Sequence, residues 1–159
     1  MARRYGRAPQ SERLVAQVPH GHWKTTTFLA ALRLGGVTAP MVVDGPSNGA
    51  LFLKYVQAFL GPTLKTGDIV IMDTLSSHKV EGVQEAIEAA GATLRYLPPS
   101  SPDLHPIAQY FSKLKAALRT LATRTVDARW HAIGHLYDAV TATHGNNFFS
   151  KAGYAVRKL

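Results

Sequence analysis

The sequence predicts a mixed α/β domain, a sheet with helices on both faces, and three observations carry that prediction. The β-branched and apolar run Thr25–Leu34 is broken by Gly35-Gly36 and answered by Val37–Val43, as in an antiparallel hairpin. Asp68–Asp73 encloses four consecutive apolar residues between two acids, as in a parallel strand buried on both faces. From there on, helical and strand patterns alternate, as in β-α-β units. A length of 159 residues with 46% apolar side chains suits one domain with a real core.

In chain order, Arg13–Val18 alternates enough for a short strand. In the hairpin that follows, Pro40 marks an edge position or a bulge. Asp44–Gly49 is a turn cluster in which Ser47 or Asn48 caps a helix running to about Leu60, where Gly61-Pro62 stops it. After the strand ending at Asp73, a helix is expected over Lys79–Ala90 with Gly91 as its left-handed stop. Thr93–Leu97 is the next strand, and Pro98–Pro102 a rigid loop. Two amphipathic helices close the chain. Ile107, Phe111, Leu114, Leu118 and Leu121 form the stripe of one. Val126, Trp130, Ile133, Tyr137 and Val140 form that of the other, with Thr125 as N-cap and Phe148, Phe149 and Tyr154 in a packed tail. A single domain is expected over 1–159, with its core in 13–121 and a C-terminal helix and tail in 122–159.

Composition narrows the chemistry. Without cysteine, thiolate catalysis, cysteine-bound zinc and iron–sulfur clusters are excluded. No apolar run reaches the roughly 18–20 residues of a membrane span, and the basic start lacks the apolar stretch of a secretory signal, so a cytoplasmic protein is expected. The net charge of +8 points to a polyanionic partner. Its basic residues gather at the N-terminus (Arg3, Arg4, Arg7, Arg13), in the C-terminal third (Lys113, Lys115, Arg119, Arg124, Arg129) and at the end (Arg157, Lys158).

Among the carboxylates, Glu81, Glu85 and Glu88 share one helix face and read as solvated. Asp44 and Asp68 stand at element boundaries, where aspartate serves the backbone. Asp103 caps, and Asp127 and Asp138 bound the last helix. Only Asp73 ends an apolar strand and opens a polar turn, the place where open α/β sheets bind ligands; capping the next helix is the alternative. No glycine-rich phosphate loop and no Gly-x-Ser-x-Gly elbow is present. His20 and His22 lack a third metal ligand. His131 and His135 lack the catalytic glutamate of a helical zinc motif, since Ala132 stands there.

Three stretches then resemble one family: Asp73–Lys79 (DTLSSHK), Tyr96–Ala108 (YLPPSSPDLHPIA) and Lys113-Leu114-Lys115. They are similar to the DDE transposases of bacterial insertion sequences, in the IS-six-thirty branch of the mariner superfamily. The patterns there are Asp-Asn-x-x-x-His-Lys, Leu-Pro-Pro-Tyr-Ser-Pro-Asp-Leu-Asn-Pro-Ile-Glu and a helix with Lys-Leu-Lys. The N-terminal RRYGRAP and the VVDGPSNG turn look like that family as well, so the resemblance covers nearly the whole chain.

The resemblance implies an RNase H-like fold and DNA transposition: Mg2+ or Mn2+ held by three carboxylates, phosphodiester cleavage and strand transfer. Residue by residue, the second acid falls on Asp73, the only retained metal ligand. The third falls on Ala108, with 34 residues between the two, and the asparagine before it is His105. The first acid has no counterpart, because its strand lies upstream of the Arg-x-Tyr-Gly stretch; the N-terminal strand is therefore expected to be incomplete, with dimerisation as one way to cover its neighbour. The family's helix-turn-helix region is missing too. The resulting expectation is a truncated, degenerate transposase domain without activity of its own, in which Lys79, Lys113, Lys115 and Arg119 contact DNA. The alternative is a non-catalytic DNA-binding or regulatory fragment. Neither needs a membrane or a small-molecule cofactor, and a homodimer is one possible assembly.

Overall fold

The computed structural model describes residues 6–15, 24–123 and 125–155. Strands β1 (Thr26–Arg33) and β2 (Gly36–Asp44) form the antiparallel hairpin. The register steps from Leu29–Met41 to Ala31–Thr38, so Ala39 and Pro40 together oppose Ala30 in a β-bulge. Pro40 has no N–H to offer a ladder and sits exposed there, while Ala39 takes a left-handed φ of 50°. No strand forms over residues 12–15, contrary to expectation, and the rest of the Arg13–Val18 segment lies outside the described residues.

Asn48 caps helix α1 (Gly49–Tyr55): its Oδ1 accepts the Leu51 N–H at 2.8 Å. The helix runs on through one π-helical turn, Val56–Leu60, and ends at Gly61-Pro62. Strands β3 (Ile69–Met72) and β4 (Thr93–Tyr96) pair in parallel, with Ile69 opposite Thr93 and Met72 opposite Tyr96. Between them lies α2 (Val83–Ala89), shorter than expected at its start. Residues Ser76–His78 form a 3-10 turn, and Gly82 adopts φ 90°, which an L side chain resists. Gly91, at φ 78°, closes the helix as expected.

Three helices close the chain, not two: α3 (Pro106–Leu121), α4 (Val126–Asp138) and α5 (Ala142–Lys151). Thr125 caps α4 as expected. The supposed tail is helical because Thr141 and His144 make a reciprocal capping box at its start. Its Gly145 rests against the hairpin tip; a Cβ there would meet the Leu34 and Arg33 carbonyl oxygens at 2.5 and 2.8 Å.

Two apolar clusters hold these elements. In the first, α1 and its π turn (Phe52, Tyr55, Val56, Leu60) pack with Val83 and Ile87 of α2 and Met72 of β3. In the second, Tyr110, Leu114 and Leu118 of α3 pack with Ile133 of α4 and Phe148 of α5. Strand β1 serves both, sending Leu29 and Ala31 to one and Phe28 and Leu32 to the other. The mixed α/β class is as expected. Among the described residues the strands form two separate pairs, β1-β2 and β3-β4, which rest on the same first cluster. An ion pair links them: Arg33 Nη1 donates to Asp68 Oδ1 at 3.3 Å and Nη2 to Oδ2, while Nη2 also donates to the Thr63 carbonyl at 3.0 Å.

Two stability predictions follow from this packing. Ile87 is fully buried, so Ile87→Ala should cost about 3 kcal/mol in denaturant unfolding. Arg33 foremost, then the Lys65 N–H, holds the Asp68 carboxyl below the ordinary aspartate value. A carboxyl depressed in the folded state stabilises it above the unfolded value of about 4, and that contribution is lost as pH falls below it. Asp68→Ala should therefore cost about 1 kcal/mol at pH 7 and progressively less in unfolding curves taken from pH 5 to pH 2.

Candidate active site

Asp73 is the first residue beyond β3, at the carboxyl end of a parallel pair, where the sequence places it. Its side chain is 41% exposed. Oδ1 accepts the Leu75 N–H at 3.2 Å, turning the chain out of the strand. His78 Nδ1 approaches the same oxygen to 2.6 Å, without the alignment of a hydrogen bond. Such a contact is attractive only when Nδ1 carries a proton. The His78 ring lies on Phe52 of α1, centroids 4.1 Å apart, and the Tyr96 hydroxyl donates to the His78 carbonyl at 3.0 Å. Lys79 Nζ stands 5.5 Å from the Tyr96 ring centroid. The loop after Asp73 is thus clasped at both its ends.

His105 precedes the first turn of α3 and Ala108 lies within that turn, its N–H donating to the His105 carbonyl at 3.0 Å. The fold brings His105 to the neighbourhood of Asp73 and His78. Burial lowers its pKa below the ordinary histidine value. The Asp73 charge opposes that shift, His78 adds to it, and a hydrogen bond to the Ile71 backbone opposes it. The fold thus brings two imidazoles, those of His78 and His105, to the neighbourhood of Asp73.

This donor set does not fit a magnesium or manganese site. Mg2+ takes hard oxygen ligands in octahedral array. Here one carboxylate is present, with an oxygen already engaged by Leu75 and His78, and Ala108 offers no donor. Among the described residues no group of three or more His, Asp or Glu side chains could hold a metal ion.

The other carboxylates lie elsewhere. Glu81, Glu85 and Glu88 are exposed on or beside α2 as expected, Asp68 pairs with Arg33, and Asp44 accepts from Trp130 Nε1 at 3.3 Å. His131 and His135 line, with Asp127, Trp130, Gly134 and Asp138, a shallow hollow of about 500 Å³ on α4, to which neither β3 nor the Asp73 loop contributes. Of the expected DNA contacts, Lys115 and Arg119 are exposed one helical turn apart on α3. Lys113 on the same helix has its Nζ 4.9 Å from the Phe148 ring centroid. Arg3, Arg4, His20, His22, Arg124, Arg157 and Lys158 lie outside the described residues.

Sequence reasoning singled out Asp73 but not the clasp around it. The five-residue step from Asp73 to His78 carried the signal; Phe52, in another element, carried none. Replacing His78 by Ala removes both the carboxylate contact and the ring stacking. The expected result is a loss of about 1 kcal/mol, with amide exchange of Leu75–Lys79 at least tenfold faster.

The arrangement places an acid at the end of a parallel strand, near the residue that precedes a long helix. The chain belongs to the DDE superfamily endonuclease family, whose model matches residues 1–129. No curated protein matches it. Among solved structures, the Mos1 strand transfer complex superposes with a TM-score of 0.73 at 16% identity, over 96% of this chain and 47% of that one. The Mos1 mariner paired-end complex with Mn gives 0.71 at 17%, over 96% and 48%. These likenesses place the fold among RNase H-like catalytic domains. The chain spans about half the length of the transposase chains it matches.

Proposed function

We propose that this chain is a transposase catalytic domain of the IS-six-thirty type that binds DNA and, by itself, does not cut it. The observation that carries this is the donor set at Asp73: one carboxylate, its Oδ1 accepting the Leu75 N–H and approached by His78, in a sequence with Ala108 where the resemblance calls for a glutamate. Membership of a DDE endonuclease family supports DNA as the partner, and so does the charge of +8. The Mos1 neighbours are complexes with transposon ends or strand-transfer products by their own description, which agrees with that reading. No helix among the described residues is long and apolar enough to cross a membrane. Lys79, Lys113, Lys115 and Arg119, all exposed and the last three on α3, form the proposed contact to the phosphates.

The test is titration of a labelled duplex across salt concentrations. Binding should weaken steeply with salt and be unchanged by EDTA. The Lys115→Ala/Arg119→Ala double variant should lower the log–log slope by about 2, one phosphate for each lost cation. Failure to bind at low salt overturns the DNA partner. Nicking in Mg2+ or Mn2+ that disappears in Asp73→Ala overturns the inactivity.

A further inference from the structure

The hollow on α4 is lined by residues of that helix alone and includes none of the Asp73 loop. His131 and His135 stand one helical turn apart, the spacing at which two imidazoles on one helix face reach a common point. Both are exposed. Asp127 lies one turn before His131 and Asp138 three residues after His135, so each imidazole has a carboxylate neighbour along the same face. Trp130 donates to Asp44 Oδ1 at 3.3 Å and brings a third carboxylate to the rim. Arg129, the one Lys or Arg of α4, is turned to β1 instead, where it donates to the Lys24 carbonyl and to Thr26 Oγ1. On a chain of net charge +8, this face therefore gathers acids, and its own helix sends it no cation. Two of its residues are not accounted for by the helix itself. Glycine inside a helix is unfavourable relative to alanine, yet a Cβ at Gly134 would meet nothing within 4 Å. No neighbour demands that glycine, and its missing side chain leaves the face open beside the two imidazoles. Asp138 ends α4, where the helix dipole disfavours a negative charge.

We propose that His131 and His135 form a binding site for a first-row divalent cation that prefers imidazole, of which Zn2+ is the representative. Two nitrogen ligands from adjacent turns clamp the ion. Water fills its other positions, since among the described residues no third acid or imidazole joins the pair as a ligand. Asp127 and Asp138 act one step further out, each accepting the free ring N–H of the imidazole next to it and so raising that ring's basicity as a ligand. Mg2+ takes hard oxygen ligands and keeps its waters, so two imidazoles offer it little. The bound ion ties two turns of α4 together and stabilises that helix.

The experiment titrates Zn2+, and separately Mg2+, into the full chain after EDTA treatment and dialysis. The reference protein carries His20→Ala and His22→Ala, so that the other closely spaced histidine pair of the sequence does not contribute. Zn2+ should bind it at least tenfold more tightly than Mg2+ and slow amide exchange within α4. His131→Ala and His135→Ala, at exposed positions that keep the fold, should each weaken Zn2+ at least tenfold and remove the α4 protection. Asp127→Asn with Asp138→Asn should weaken it about tenfold. Gly134→Leu, whose side chain leans back over His131, should weaken binding while raising the metal-free Tm, which separates loss of the site from loss of the fold. Absence of Zn2+ binding, binding that survives both histidine variants, or protection that spares α4 overturns the proposal. So does Mg2+ binding as tight as that of Zn2+, which would make the acids the ligands. Neither DNA binding nor nicking enters these readouts, so the result stands or falls apart from the function proposed above.

Discussion

The structure depends on one apolar contact: the turn of π-helix after α1 pressed against α2 and the strands. Two strand pairs without mutual hydrogen bonds among the described residues are held together by resting on Phe52, Tyr55, Val56 and Leu60, with the Arg33–Asp68 ion pair at one end. Burial here does the work that ladder hydrogen bonds do within a continuous sheet. The same contact sets the site. Phe52 belongs to this cluster and also stacks on His78, so the position of Asp73's partner is fixed by the core.

Asp73 does not belong to a cluster of three or more acids and imidazoles that could hold a metal ion, among the described residues. Clustered carboxylates repel one another and need a cation to keep them together. Here a lone carboxylate meets a backbone N–H and an imidazole, with the His105 ring in its neighbourhood. The loop from Asp73 to Lys79 is closed by groups within the chain, and its geometry does not call for an ion. On α3, Lys113 has its Nζ near the Phe148 ring, and Lys115 and Arg119 are exposed.

Much of this was legible in the residues. The hairpin, the bulge at Pro40, the Asn48 cap, the parallel strand before Asp73, the Gly91 stop and the Thr125 cap each follow from local chemistry that a few residues fully specify. What escaped depends on contacts distant in sequence. Helix α5 was hidden because Gly145, Asn146 and Asn147 are weak helix formers, and its stability comes from the capping box and from seating on the hairpin. The split between strand pairs was hidden because an apolar run records how a strand is suited to be buried, and Ile69 is exposed all the same. At the site, the end of the apolar strand pointed to Asp73, while Phe52 and Tyr96 entered through tertiary packing alone.

The seating of Gly145 on the hairpin tip also orders events in time. Gly145 and Leu34 lie about 110 residues apart, so joining them closes a long loop, at an entropic cost that early contacts do not repay. The hairpin, closed locally through Leu34 and Gly35, forms without waiting for α5, whereas α5 has its landing surface only once those carbonyls are in place. Helix α5 is therefore a late arrival in folding, and ribosomal synthesis, which delivers it after the hairpin, runs in the same order.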